Sequence, residues 1–207
     1  MARLKNTILD AESGSLGPVV VYSMYGRSYV RSKPSQYHDK KSPAQLAQRQ
    51  KFQLILNFLR PFKDLIRITF AREAIRHSAF QAAQSYNLKH GIQGSFPLLD
   101  INYQTALLSH GPIALPQLMQ VSRAGDNLLV EWNPDHQLDH ASLNDTLIIM
   151  ARSGIDEVDY QFTGVRRAYG KYLWSTQLAN KKNISIWLAF RNRKETEMSN
   201  SHYLLIK

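Results

Sequence analysis

Apolar and polar residues follow one another along the chain in two different rhythms, and the changes from one to the other mark its elements. Behind Gly14, Gly17 and Pro18, the run Val19-Val20-Val21-Tyr22-Ser23-Met24 has the β-branched and aromatic content of a strand. Tyr25-Gly26-Arg27 supplies a turn. Ser28 to Lys33 forms the return strand, with Tyr29, Arg31 and Lys33 on one face and Ser28, Val30 and Ser32 on the other, because side chains alternate. Pro34 ends this hairpin, and the polar, basic stretch to Lys41 reads as a loop.

The rhythm then becomes helical. Ser42-Pro43-Ala44-Gln45 combines an N-cap serine, a proline at the first helical position and a glutamine three residues past the cap. From there to Arg60, the apolar positions Ala47, Phe52, Leu54, Ile55, Leu56, Phe58 and Leu59 cover more than half of the helical circumference, which predicts a mostly buried helix. Pro61 breaks or kinks it, and helical spacing resumes over Phe62 to Ile75 at Phe62, Leu65, Ile66, Thr69 and Phe70. A second capping signature, Ser78-Ala79-Phe80-Gln81, opens a third helix that Gly91 can close.

From Phe96 onward the pieces are short and β-like, first Pro97 to Tyr103 and Thr105 to Ser109, then the punctuated linker Gly111-Pro112-Ile113-Ala114-Leu115-Pro116. The sequence places a domain boundary at this linker. Beyond it come short apolar runs at Leu118 to Ser122, Asn127 to Trp132, Thr146 to Ala151, Val158 to Phe162, Tyr172 to Ser175, Ile184 to Phe190 and His202 to Ile206. That spacing predicts an antiparallel sandwich.

Two resemblances bear on these elements. Ile184-Ser185-Ile186-Trp187-Leu188-Ala189-Phe190, with Ser199-Asn200-Ser201 and Tyr203-Leu204 after it, resembles the last two strands of fibronectin type III modules, and Leu129-Val130-Glu131-Trp132 resembles that family's second strand with its core tryptophan. The N-terminal half resembles a family of small bacterial proteins of unknown function. The similarity runs through Met1-Ala2-Arg3-Leu4-Lys5-Asn6, Gly14 and Gly17, Gly26 to Pro34, Ser42 to Phe52, and Ala82-Ala83-Gln84-Ser85-Tyr86-Asn87, and extends over most of the chain. It implies an architecture and no activity. The expected fold is α+β, with an N-terminal β-hairpin plus helices over residues 1–111, followed by an antiparallel fibronectin-III/Ig-like β-sandwich over 116–207.

Composition narrows the setting. Of 207 residues, 43% are hydrophobic and 20% charged, which is ordinary globular usage, and none is cysteine, which fits a reducing compartment. The longest apolar runs fall far short of the roughly 20 residues of a membrane-spanning helix, and Met1 to Asp10 lacks the apolar core of a secretory signal. A cytoplasmic location is therefore expected. The formal charge of +10 is uneven: residues 1–100 hold 15 Lys/Arg against 6 Asp/Glu, and residues 101–207 hold 11 against 10.

Catalytic and metal chemistry finds little support. No HExxH, GxxxxGK[ST], GxGxxG or nucleophile-elbow motif occurs. Asp135, His136, Asp139, His140 and Asp145 could form an oxygen-and-imidazole metal site, but a solvated loop between sandwich strands accounts for them more simply. Gly14-Ser15-Leu16-Gly17 matches the clamp of KH domains, yet a strand follows it and a β-turn is expected instead. Asp156-Glu157-Val158-Asp159 could pair carboxylates, and reads rather as a solvated turn. No enzyme activity, metal, cofactor or small-molecule ligand is expected.

The strongest candidate for function is the basic, aromatic hairpin and loop. Tyr25, Arg27, Tyr29, Arg31, Lys33, Lys40, Lys41 and Arg49, with Tyr22 and Tyr37 among them, interleave cations with rings. Two functions fit. An exposed hairpin, a helical centre and open sandwich edges suit a non-enzymatic structural or interaction protein, a subunit of a larger assembly built through a protein partner or self-association. The same surface also suits a sequence-tolerant nucleic-acid binder, with Lys/Arg on phosphates and bases on rings.

Overall fold

A computed structural model describes residues 2–3, 13–34, 39–134, 140–154 and 157–207. Tyr37, Asp135, His136, Asp139 and Asp156 lie outside the described residues. The chain divides into two compact units, Met1–Pro43 and Ala44–Lys207.

The first unit is a four-stranded antiparallel sheet of β1 (Ala2–Arg3), β2 (Gly14–Leu16), β3 (Val19–Met24) and β4 (Arg27–Ser32), in the order β1-β4-β3-β2. The expected hairpin is its centre. Tyr25 and Gly26 connect β3 to β4 with φ of 53° and 69°, and two successive positive φ values are what a two-residue hairpin requires. Gly17, at φ 54°, opens the turn into β3, so Gly14 to Gly17 is strand and turn, as its sequence context indicated.

The second unit opens with α1 (Pro43–Leu59), beginning at the proline that its capping sequence marked. Arg60–Phe62 forms a 3₁₀ turn at Pro61, and α2 (Lys63–Thr69) follows. This helix is shorter than expected. Phe70 leaves the helical region at φ −116°, ψ 15°, and the Thr69 hydroxyl donates to the Leu108 carbonyl at 2.7 Å, so Ala71 to Ile75 turns away and leaves Ile75 exposed. Next, α3 (Ala79–His90) starts with the predicted capping box: Gln81 N–H donates to Ser78 Oγ at 3.2 Å, and Ser78 N–H to Gln81 Oε1 at 3.0 Å. Gly91 closes it with φ of −97°, so glycine is required for space and not for a positive φ. A Cβ there would lie 2.9 Å from Asn87 Oδ1 and 3.2 Å from the Ala106 Cβ.

A small hairpin, β5 (Ile92–Ser95) and β6 (Leu98–Ile101), precedes two larger antiparallel sheets. One has the order β11-β8-β7, from β7 (Met119–Ala124), β8 (Asn127–Trp132) and β11 (Lys171–Ser175). The other has the order β10-β9-β12-β13, from β9 (Thr146–Ser153), β10 (Glu157–Arg166), β12 (Ile184–Arg191) and β13 (His202–Ile206). The protein is thus an α+β mixture dominated by antiparallel sheet.

Alternate residues of β9 and β12 serve two different cores. Leu147, Ile149, Ala151, Ile184, Ile186, Leu188 and Phe190 join Leu128, Val130, Trp132 and Trp174 of the three-stranded sheet. The opposite face, with Ile148, Met150, Trp187 and Ala189, joins Ile55, Phe58, Leu59, Phe62, Leu65 and Ile66 of the helices. The central strands β9 and β12 therefore take part in two interiors, one shared with the helices and one with the three-stranded sheet. A strand buried on both faces cannot part from the layer that covers one of them.

The linker itself is held in place. Gly111 N–H donates to Asn200 Oδ1 at 3.2 Å, Ile113 N–H to the Met198 carbonyl at 3.1 Å, and Arg167 Nη2 to the Ala114 carbonyl at 2.6 Å. Residues 105–109, expected as a strand, form instead a buried strap bonded largely by side chains. Asn87 exchanges two bonds with the Leu107 backbone, both 2.9 Å. Leu108 N–H donates to Ser201 Oγ at 3.0 Å, and Ser109 Oγ to the Ser199 carbonyl at 2.7 Å.

Candidate interaction face

The register of the N-terminal sheet fixes which of the sequence-predicted residues act together. Val20 pairs with Arg31, Tyr22 with Tyr29 and Met24 with Arg27, so these six share one face. Val19, Val21 and Ser23, paired with Ser32, Val30 and Ser28, make the other, where Ser23 and Ser28 hydroxyls meet at 3.2 Å. On the first face the Tyr22 and Tyr29 rings stack with centroids 5.6 Å apart and planes inclined by 21°. Stacking of this kind fixes the rings across the strand pair and adds about 0.5–1.5 kcal/mol. Arg27, Arg31 and Lys33 are exposed, and with Tyr29 between the two arginines they step along β4 and just past it at two-residue intervals of roughly 6.6 Å.

Tyr25 projects from the hairpin turn and is 54% exposed. Lys40 and Lys41 follow in the connection to α1, where Lys41 N–H donates to Asp39 Oδ1 at 3.2 Å. Among the described residues from 13 to 43, five cations face the single carboxylate of Asp39. Arg49 belongs elsewhere. It lies on α1, in the second unit, beside a shallow recess lined by Gln45, Gln48, Phe52 and Leu56. The sheet therefore gathers Arg27, Tyr29, Arg31 and Lys33 with Tyr25 at its end.

Other candidates acquire structural roles. Asp145 is 1% exposed, accepts the Ser142 N–H at 2.7 Å, and lies 3.7 Å from Nε of the fully buried Arg167. That guanidinium also covers the Phe190 ring at 4.5 Å, and the Trp132 indole donates to the Arg167 carbonyl at 2.8 Å. Burial pushes the Asp145 carboxyl above its ordinary range, and the Ser142 N–H and Arg167 pull it partly back. Asp159 accepts from Thr176 Oγ1 at 2.6 Å, and Glu157 from Lys181 Nζ at 2.8 Å, both between β10 and the segment around β11. Among the described residues no group of three His, Asp or Glu side chains could hold a metal ion. None of the helices is long and apolar enough to cross a membrane. The Asp145–Arg167 pair escaped sequence reading because its partners stand 22 residues apart.

Antiparallel sheets joined to a helical layer, with a cationic strand face, define an α+β protein with a candidate binding surface. The chain belongs to the family of unknown function DUF6266, which matches residues 11–205. No curated protein and no solved structure matches it.

Proposed function

We propose that this is a non-enzymatic structural or interaction protein, a subunit of a larger assembly, in which residues 44–207 are the scaffold and the N-terminal sheet makes the contacts. The observation behind this reading is that the sheet has almost no interior of its own. Among its described residues Val21 and Ser28 are the buried ones, while Leu16 is 71% and Met24 48% exposed. So small a sheet needs a face covered to be stable, and a protein partner or another copy of the chain supplies that cover. Within that scaffold, residues 116–207 are read as fibronectin type III-like. Support for this comes from seven strands divided three and four, in the orders β11-β8-β7 and β10-β9-β12-β13, over a shared apolar cluster that includes Trp132.

Light scattering over a concentration series tests the assembly reading. A defined oligomer, or a co-purifying protein, should persist after nuclease treatment and disappear when Leu16 and Met24 are both replaced by Asp. A chain that stays monomeric and partnerless at every concentration would refute it.

A nucleic-acid partner is the second reading, favoured by the alternation of Arg27, Tyr29, Arg31 and Lys33 on one face. Here the Arg31→Glu, Lys33→Glu double variant should abolish binding, and the logarithm of the affinity should fall linearly with the logarithm of salt concentration.

A further inference from the structure

A second concentration of chemistry lies within residues 44–207. A recess of about 250 Å³ opens between the end of α2, α3 and the residue that follows the buried strap. Its wall holds three of the seven histidines, His77, His90 and His110, together with Lys89, Glu73 and Tyr86. They come from separate stretches of chain, so folding brings them together. His77 and His110 are half-buried, and Lys89 and His90 stand exposed.

Ring contacts hold this wall in shape. Tyr86 lies 4.8 Å from the His90 ring and 5.1 Å from the His110 ring, and Phe70 stacks on His110 at 5.9 Å and 20°. His110 Nδ1, shielded from solvent, stands 3.4 Å from Glu73 Oε1 without completing a hydrogen bond. Arg72, the neighbour of Glu73, is engaged 3.7 Å from Glu197.

The charge of the wall follows its imidazoles. With all three neutral, Lys89 and Glu73 cancel; with all three protonated, the wall carries a net charge of +3. Imidazole is the side chain that makes this change between about pH 5 and 8, a range in which phenols stay neutral. Once protonated, His110 has Glu73 as its counterion, which leaves His77, His90 and Lys89 as donors around a small cavity. Among the described residues no three ligands converge as a cation would need. A compact anion suits the donors instead, since charged N–H groups on oxygen make the stronger class of hydrogen bond.

We propose that this recess is an acid-gated site for a tetrahedral oxyanion, a phosphate- or sulfate-type group, held by His77, His90 and Lys89, with Glu73 neutralised by His110. The residues of the site all belong to the second unit.

Inorganic sulfate is the probe, because its charge stays constant over the range in which imidazoles titrate. Calorimetry on the full chain should show one site at about pH 5.5, weakened at least tenfold at about pH 8. His77→Gln, His90→Gln and Lys89→Gln should each weaken it about tenfold at the lower pH, the size of one lost charged hydrogen bond, whereas Lys171→Gln on β11 should leave it unchanged. Histidine resonances in NMR supply a readout that needs no substitution: sulfate should raise the titration midpoints of His77 and His90. Methyl phosphate in place of sulfate separates a carried phosphate group from the free ion. Equal sulfate affinity at both pH values, or affinity untouched by the three substitutions, would place any bound anion elsewhere on the basic surface and overturn the proposal.

Discussion

Asp145 and Arg167 lie buried side by side where the linker, β8 and β12 meet, and their charges make stability depend on pH. Burial raises the Asp145 carboxyl in the folded state, so the native protein holds that proton more tightly than the unfolded chain does. Its contribution is therefore greatest below the ordinary carboxylate value and declines as pH rises through the window just above it. Urea midpoints measured across that window should fall for the wild type and flatten for Asp145→Asn. Arg167→Met leaves the buried carboxylate without its counterion, and should cost about 3–5 kcal/mol at neutral pH in the same denaturation experiment. Gly111 makes a different demand. A methyl group there would run into the Met198 carbonyl, which is backbone and cannot rotate aside. Gly111→Ala should lose about 3 kcal/mol, seen as a lower urea midpoint with an unchanged slope.

Among the elements, the β3–β4 hairpin has a turn that works against its own residue. Tyr25 adopts φ 53°, a region that costs a residue with a side chain about 1–2 kcal/mol and that asparagine enters more readily. Tyr25→Asn should slow amide hydrogen exchange in β3 and β4 about two- to fivefold while leaving α1–α3 unchanged. The hairpin was legible in the sequence because an alternating run, a Gly-containing turn and a second run are all local. Ser42-Pro43 and Ser78-Gln81 were legible for the same reason. The face of Arg27, Tyr29, Arg31 and Lys33 followed from the period of two. The burial of α1 did not follow: Phe52 and Leu56 are 44% and 37% exposed, against the mostly buried helix its wheel suggested, and the fully buried residues fall in its last turns. Nor did the strap at 105–109. Its short apolar run looks like a strand's, but its partners are Asn87, Thr69, Ser199 and Ser201, which no local pattern points to. The histidine recess was hidden similarly, since His77, His90 and His110 show no motif spacing.

At the scale of the whole molecule, the clue to strands buried on both faces stood in two apolar runs. Leu147 to Ala151 and Ile184 to Phe190 are almost unbroken, and a strand that faces water on one side alternates instead. Both runs are buried throughout except for the half-buried Ser185, because helices cover one face and the three-stranded sheet the other. A fragment of residues 112–207 would therefore expose Ile148, Met150, Trp187 and Ala189. At about 1.5–3 kcal/mol for each of the three large side chains, this is comparable with the roughly 5–15 kcal/mol that holds a whole domain together. That fragment should bind a hydrophobic dye and lack a cooperative thermal transition, whereas residues 44–207 should melt cooperatively and bind none. Cooperative melting of the shorter piece would mean that the helical layer is dispensable.

The strap has a consequence for how the protein is made. Leu108 and Ser109 wait for bonds from Ser201 and Ser199, 93 and 90 residues further along. On a ribosome, α1–α3 emerge long before their sheet exists, and the clasp between them cannot fasten until Ser201 has left the exit tunnel. The helices translated early are thus among the last parts to become resistant to proteases, and a pause in translation before Ser199 should prolong the time for which they need a chaperone.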